Sequence, residues 1–412
     1  MARDVRILFA TLTMPYPPTN GHRLRLWALL RALAEEGHKL SLISFADPDE
    51  IQRATPELGA LCHSVERVPL PSGRGFPRSE SLRRARALLS AHPFGVHRLR
   101  SAEFAATVSQ RLAAEPFDLL ICDGIYNIQN LPQHPGVPVV LNKDDVAHII
   151  VQRYLQFERN LARRLYGRLE ARKVWRWERR ACSAVSANLV SSEIDRALLH
   201  RLCPGAPTFV VPNVVDLEHY TPARDGDPLT VLFQGGMDWH PNRDAVGFFA
   251  SAILPKLQQL VPGVTVRIAG RSPDDAFRRR FGAVPGLEFT GTVPDMRVEI
   301  ARATLCVVPL RIGSGTRLKL IEAAAMGKAV ISTHLGAEGL DFVNGEDIVL
   351  VDEPCSFAAA IKDLLADAGR RRQLGDAARR RVEHNYSSTS LRSALRTALG
   401  RLPGAPAPYS AR

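Results

Sequence analysis

Short apolar runs alternate with amphipathic stretches along almost the whole chain. Runs such as Ile7–Ala10, Val231–Phe233 and Cys306–Val308 carry no polar alternation, as expected of strands buried on both faces of a parallel sheet. In the first half the pattern predicts strands over Arg6–Ala10, Leu40–Phe45, Val65–Pro69, Asp118–Cys122, Val137–Leu141, Ala187–Val190 and Thr208–Val211. Helices are predicted over Gly21–Glu36, Ser79–Ser90, Ser101–Ala114 and one long segment, Val151–Ala181. The polar stretch Thr221–Pro228 interrupts the alternation and reads as a linker. Strands resume over Leu229–Gln234, Val264–Ala269, Leu287–Thr290, Thr304–Pro309, Ala329–Ser332 and Ile348–Val351. Between them fit helices at Asn242–Leu260, Asp274–Phe281, Asp295–Ala303, Thr316–Met326 and Pro354–Asp367. The result is two Rossmann-like, doubly wound α/β domains, which hold ligands at the carboxyl ends of their strands and so direct attention to the loops there.

Composition agrees with that organisation. The 412 residues suit two domains, and 45% apolar with 23% charged residues suits large buried cores, leaving only the tail Pro403–Arg412 to read as disordered. Six scattered cysteines show neither a CxxC pair nor zinc-ligand spacing and read as buried thiols of a reducing compartment. No apolar run reaches the roughly 18 residues of a membrane span, and the apolar Val5–Leu12 is too short for a signal peptide, so a cytoplasmic protein is expected. The net charge of +12 is uneven: residues 1–213 hold 29 Lys and Arg against 20 Asp and Glu, the remainder 25 against 22. A basic first half suits phosphorylated or lipid-linked molecules or an anionic membrane surface, although Arg-rich codon usage produces the same excess. Nucleic acid is not expected, because no binding motif accompanies the arginines. Between Arg163 and Arg180, eight basic residues interleave with Leu165, Leu169, Trp175 and Trp177, which suits either membrane contact or a solvated helix face.

The most informative segment runs from Val307 to Gly327, where a buried strand enters Gly313-Ser314-Gly315 and a helix of good formers begins at once. Backbone N–H groups of Gly315, Thr316 and Arg317 would there face a ligand with the positive end of the helix dipole, a site for a diphosphate. Arg317 and Lys319 add full positive charge, and Glu322, in the second turn, can accept hydrogen bonds from ribose hydroxyls.

This segment resembles the donor-binding signature of retaining glycosyltransferases of family four, most of all bacterial members reading Gly-x-Gly-Thr-Arg-Leu-Lys and then Glu-Ala. Gly235-Gly236-Met237-Asp238, Gly270, Gly291-Thr292-Val293 and Pro212-Asn213-Val214-Val215-Asp216 resemble further family segments, so the likeness covers essentially the whole chain. It implies the GT-B fold, two facing Rossmann-like domains with an interdomain cleft. The boundaries it suggests are 1–213 for the acceptor and 214–385 for the donor, with a helix at about 386–400 returning to the first domain. It implies transfer of a sugar from a nucleotide-diphosphate-sugar to a saccharide, lipid-linked or small-molecule acceptor, with retention and with neither metal nor cofactor. Donor contacts would come from Asn20, Gly21, Gly235, Gly236, Gly270, Thr292, Val293, Gly313, Ser314, Gly315, Thr316, Arg317, Lys319 and Glu322. The chain departs from the family at two points. Ser314 stands where a first glutamate is usual, and Met237 and Asn242 stand where an Arg and a Lys usually follow the first donor-domain strand.

In the first half, Pro15–Arg23 follows the first strand, and Asn20 serves either as a helix cap or as a donor contact beside Gly21. Asp123 follows the fourth predicted strand, where related enzymes often have a His, and Asp144, Asp145 and His148 follow the fifth. Asp123 and Asp145 are the candidate catalytic carboxylates for orienting or deprotonating an acceptor hydroxyl. A nucleotide-sugar epimerase and a non-catalytic nucleotide-sugar-binding protein of the same fold are the competing readings.

Overall fold

A computed structural model describes residues 5–53, 55–71, 87–223, 226–271 and 274–402. Most of the predicted helix Ser79–Ser90, part of the predicted linker and the tail 403–412 lie outside these residues. The chain divides into two compact units, one formed by Met1–Pro212 with Leu391–Arg412 and the other by Asn213–Ser390.

The first unit is built on seven parallel strands: β1 Arg6–Thr11, β2 Lys39–Ala46, β3 Cys62–Pro69, β4 Leu119–Asp123, β5 Val139–Asn142, β6 Ala187–Val190 and β7 Thr208–Val210. Their order is β3-β2-β1-β4-β5-β6-β7, so the winding reverses between β1 and β4. Alternate residues of β1, Leu8 and Ala10, enter a core with Ile43, Phe45 and Val68, covered by Phe104 and Val108 of the helix Ala102–Ala114. The Phe45 and Phe104 ring centroids are 4.4 Å apart, and full burial of such a ring stabilises the fold by about 2–3 kcal/mol. The helix Gly21–Glu35 follows β1, its first turn capped by Asn20, whose Oδ1 accepts from Arg23 N at 3.0 Å.

The predicted single helix Val151–Ala181 is two helices, Ala147–Phe157 and Leu161–Ser183. Asn160 makes the break: its side chain caps the second helix by accepting from Arg163 N, while Glu158 Oε1 accepts from Asn160 N at 2.8 Å. Side chains that compete locally for backbone groups end helices in this way. The helix Ser388–Gly400 joins the first unit through Arg392 and Arg396, which reach Glu35 and Glu36 at 2.6 and 2.7 Å.

The second unit has six parallel strands: β8 Thr230–Gln234, β9 Thr265–Ala269, β10 Leu287–Gly291, β11 Leu305–Val308, β12 Val330–Ser332 and β13 Val349–Leu350. They run in the order β10-β9-β8-β11-β12-β13, reversing between β8 and β11. The predicted helix Asn242–Leu260 is present as His240–Phe248, a wide π turn over Phe249–Ile253, and Leu254–Leu260. The wider turn accommodates Pro255, which has no N–H to give the ladder. The predicted helix Thr316–Met326 starts later, at Leu318, because Arg317 is held in an extended conformation (φ −99°, ψ 96°).

Candidate donor and acceptor sites

In the second unit the loops after β8 and β11 lie side by side at the point where the winding reverses, the place where open α/β sheets bind ligands. The loop after β8 is shaped by glycine. Gly235 has φ 152°, and a Cβ there would stand 2.6 Å from Asn242 Nδ2 and 2.9 Å from Lys319 Nζ. Gly270, after β9, has φ 143°, and a Cβ would stand 2.4 Å from the Gly235 carbonyl oxygen. Only glycine gives both the backbone angle and the close approach. Gly236 continues this loop, its carbonyl accepting from Asn242 Nδ2 at 2.8 Å.

Lys319, one residue into the helix Leu318–Ala325, crosses from the β11 side to this loop. Its Nζ donates to Asn242 Oδ1 at 2.6 Å and lies 4.4 Å from the centroid of the Phe233 ring. Burial of the amino group, with help from Arg317 and against the pull of Glu322, lowers its pKa to about 7. Met237 is buried and Asn242 is Lys319's partner, so the cation missing from the loop after β8 arrives from the next switch-point helix. Among the described residues the backbone N–H groups of Gly315, Leu318 and Lys319 have no acceptor, and these amides stand at the positive end of the helix.

Arg317 differs from its expected role. Its side chain is buried and turned back onto its own loop, donating to the Ser314 carbonyl at 2.7 Å and to that of Gly315, with Leu335 O at 3.4 Å. A guanidinium in the core needs carbonyl acceptors, and the loop supplies them. Arg317 therefore shapes Gly313–Gly315 rather than presenting a free charge. Ser314 is buried in the same loop, and Thr316 Oγ1 accepts from Asn213 Nδ2 at 2.8 Å. Glu322 is buried, with Oε1 taking the Tyr220 hydroxyl and Oε2 taking Gln234 Nε2, both at 2.6 Å. Burial raises its pKa against the opposing effects of Tyr220, Lys319 and Gln234. Thr292 and Val293 follow β10, two strands away from β8.

The first unit gathers a different constellation at its own winding reversal. His22, in the first turn of the helix after β1, has Nε2 2.9 Å from Asp123 Oδ2 and Nδ1 against Asp144 Oδ2. Burial alone would lower the imidazole pKa, but Asp123 and Asp144 outweigh it and raise the pKa well above its ordinary value. Asp123, at the end of β4, also accepts from Asn142 Nδ2 at 3.0 Å and from Leu12 N at 3.3 Å. Buried Arg25 pairs with Asp144 at 3.1 Å and donates to Asn142 Oδ1 and Val211 O. The three ligand atoms of His22, Asp123 and Asp144 lie within 4.8 Å of one another, close enough for a cation. Two carboxylates already balanced by an imidazolium and a guanidinium have little charge left for one.

Asp145 stands apart from this network. Half-buried, its carboxyl has no hydrogen-bond partner among the described residues. Burial raises its pKa to about 7 against the pull of Lys143, with Asp144 and Glu178 adding to the rise. His148, by contrast, is buried and bound to Glu178, which also takes Lys143 Nζ at 2.5 Å. Burial would raise the Glu178 pKa, yet Lys143 and His148 bring it down to about 2. His22 and Tyr220 were passed over in the sequence. The signal for His22 was its place directly after Asn20-Gly21 at a helix start, whereas Tyr220 carried no local signal.

The His22 bridge makes a testable contribution to stability. Its pKa is raised on folding, so its contribution is complete below the ordinary imidazole range and is lost as pH rises through the raised value. His22→Leu is expected to lower the stability of the first unit by about 2 kcal/mol at pH 6, because two carboxylates lose their shared donor. Thermal denaturation of the two proteins across pH should show their difference shrinking as pH rises.

Comparison with known proteins agrees with this architecture. The family model for Glycosyltransferase Family 4 matches residues 19–219, and that for Glycosyl transferases group 1 matches residues 228–367. The first match lies almost wholly on the first unit and the second within the second unit, so the chain is similar to glycosyltransferases over most of its length. Glycogen synthase from Mycobacterium tuberculosis is 25% identical over 210 residues, covering 48% of this chain and 49% of that protein. The chain thus spans about half the length of the curated relatives it matches. Sucrose-phosphate synthase from Thermosynechococcus elongatus superposes with a TM-score of 0.70 at 18% identity, covering 95% of this chain and 97% of that one. Anabaena Alr3699/HepE in complex with UDP and glucose gives 0.67 at 14% identity, covering 97% and 100%. At such identities these likenesses carry the fold, two parallel-sheet Rossmann-like domains of the GT-B type.

Proposed function

We propose that the protein transfers a sugar from a nucleotide-diphosphate-sugar to an acceptor hydroxyl, with the donor diphosphate bound at the switch point of the second unit. The observation that carries this reading is the meeting of three unpaired amides, of Gly315, Leu318 and Lys319, with the Lys319 ammonium beside the glycine loop after β8. Breaking the bond between the anomeric carbon and phosphate leaves negative charge on the departing diphosphate, and prearranged donors with a nearby cation stabilise it. In this reading no metal is needed, and Arg317 acts by holding the loop. Glu322, fixed by Tyr220 and Gln234, keeps lone pairs for the ribose hydroxyls.

On the acceptor side, assigned to the first unit, Asp145 is the base or orienting group, and His22 with Asp123 positions the loop after β1. The family resemblance supports transfer with retention of configuration. The bound UDP and glucose of the Anabaena neighbour support a uridine-type donor, and the glycogen synthase relative supports a saccharide acceptor of the kind found in polysaccharide or glycolipid synthesis. No specific observation favours an epimerase.

Release of nucleoside diphosphate from a panel of nucleotide-sugars, with and without saccharide acceptors, tests the proposal. Acceptor-dependent release is expected, and turnover without any acceptor would count against it. Glu322→Gln should lower the transfer rate by about tenfold, since its neutral amide accepts ribose hydroxyls more weakly. Glu322→Ala, which also strands Tyr220 Oη and Gln234 Nε2, should cost about a hundredfold.

A further inference from the structure

We propose that the outward face of the helix Leu161–Ser183 is a docking surface for an anionic phospholipid bilayer. This helix turns Gly167, Ala171, Val174, Glu178 and Cys182 inward, where they are buried. On the opposite face Leu161, Leu165 and Leu169 follow one another at every fourth residue and are 80%, 62% and 42% exposed. A single exposed leucine is ordinary, but three in helical register form a stripe that the fold of this unit leaves uncovered among the described residues. Leu89, 94% exposed, lies close by, because Lys173 Nζ holds the Ala87 carbonyl at 2.5 Å and that of Leu88 at 3.3 Å.

Charge selects the partner. Arg164, Arg168, Arg172, Arg176 and Arg179 are exposed and interleave with the leucines. The two carboxylates of the helix are turned away: Glu178 is buried against Lys143 and His148, and Glu170 accepts from Phe94 N at 2.5 Å. Arg176, Arg179 and Arg180, with Trp175 and Ser183, also line an open cleft of about 370 Å³, wide enough for a phosphate headgroup. Leucines that enter the headgroup boundary, flanked by arginines that grip phosphates, suit an anionic bilayer. A second copy meeting on this face would set arginine against arginine, and a nucleic acid would leave the leucines in water. No helix of the described residues is long and apolar enough to cross a membrane, so the contact is peripheral. The surface stands apart from the transfer reading, because vesicle binding requires neither donor nor acceptor.

Flotation of the full chain with vesicles of phosphatidylcholine, alone or with about 30% phosphatidylglycerol, measures the contact. Binding is expected to be at least about tenfold stronger on the anionic vesicles and to fall sharply in about 0.5 M NaCl. Leu161→Ser/Leu165→Ser/Leu169→Ser and Arg164→Gln/Arg168→Gln/Arg172→Gln should each reduce partitioning by about tenfold or more, with circular dichroism and nucleotide binding unchanged. The proposal is overturned if the parent fails to float with anionic vesicles, or if the leucine variant floats as the parent does. It is equally overturned if that variant changes only the sedimentation of the chain, which would make a second copy the occupant.

Discussion

Lys319→Met is expected to weaken binding of a nucleoside diphosphate about a hundredfold at pH 7, or ~3 kcal/mol, while leaving the fold intact. Methionine preserves the unbranched stem that runs past Phe233 and removes only the charge and its hydrogen bond to Asn242. The reason for choosing this residue is its protonation. With a pKa near 7 the amino group is about half neutral at physiological pH, and a diphosphate beside it would restore the proton. Binding above pH 7 must therefore take up a proton, and affinity should fall by up to about tenfold per pH unit until the bound-state pKa is reached. The phosphates of the ligand are already ionised in that range, with a last pKa near ~6, so the slope belongs to the protein. Isothermal titration in buffers of different ionisation enthalpy measures the proton uptake directly. The methionine variant should show none, and an unchanged affinity in that variant would remove the diphosphate from this site.

Asp145→Asn is expected to lower turnover by about 10²–10³-fold at saturating donor, with donor affinity unchanged. A carboxyl titrating near pH 7 is matched to proton transfer at neutral pH, and this one has no hydrogen-bond partner to satisfy first. As a base it works in the ionised form, so the parent's kcat should rise with pH through about 7 and then level, while the asparagine variant should be flat. Saturating donor separates this profile from the Lys319 effect, which acts on binding. Asp123 makes a poor alternative base, because its two oxygens already accept from His22, Asn142 and Leu12. If kcat in the asparagine variant matched the parent at every pH, the acceptor proton would have to go elsewhere, most simply to the departing phosphate.

Much of the architecture was legible because parallel strands buried on both faces leave an unbroken apolar signature. Among the described residues, all thirteen strands fall where the runs of apolar residues predicted them, within about three residues at either end. Helix ends were less legible. Asn160 divides one predicted helix into two, and Arg317 delays another until Leu318, because each end depends on a side chain folding back onto nearby backbone. Of the six cysteines, five are buried as expected, and Cys355 is exposed in the first turn of the helix Pro354–Ala366.

Sequence alone determined the two α/β domains, the glycine-shaped loops at the strand ends and the concentration of candidate donor residues around 313–322, all of which depend on local spacing. Tertiary structure alone decided what the charged groups among them do. Arg317 and Lys319 are two positions apart in similar sequence surroundings, yet one is consumed by the carbonyls of its own loop and the other crosses to Asn242, 77 residues earlier in the chain. His22 likewise acquires its charge from Asp123 and Asp144, more than a hundred residues away, which β4 and β5 carry to the start of its helix. Electrostatic character depends on distance and burial in space, and neither is a property of sequence spacing.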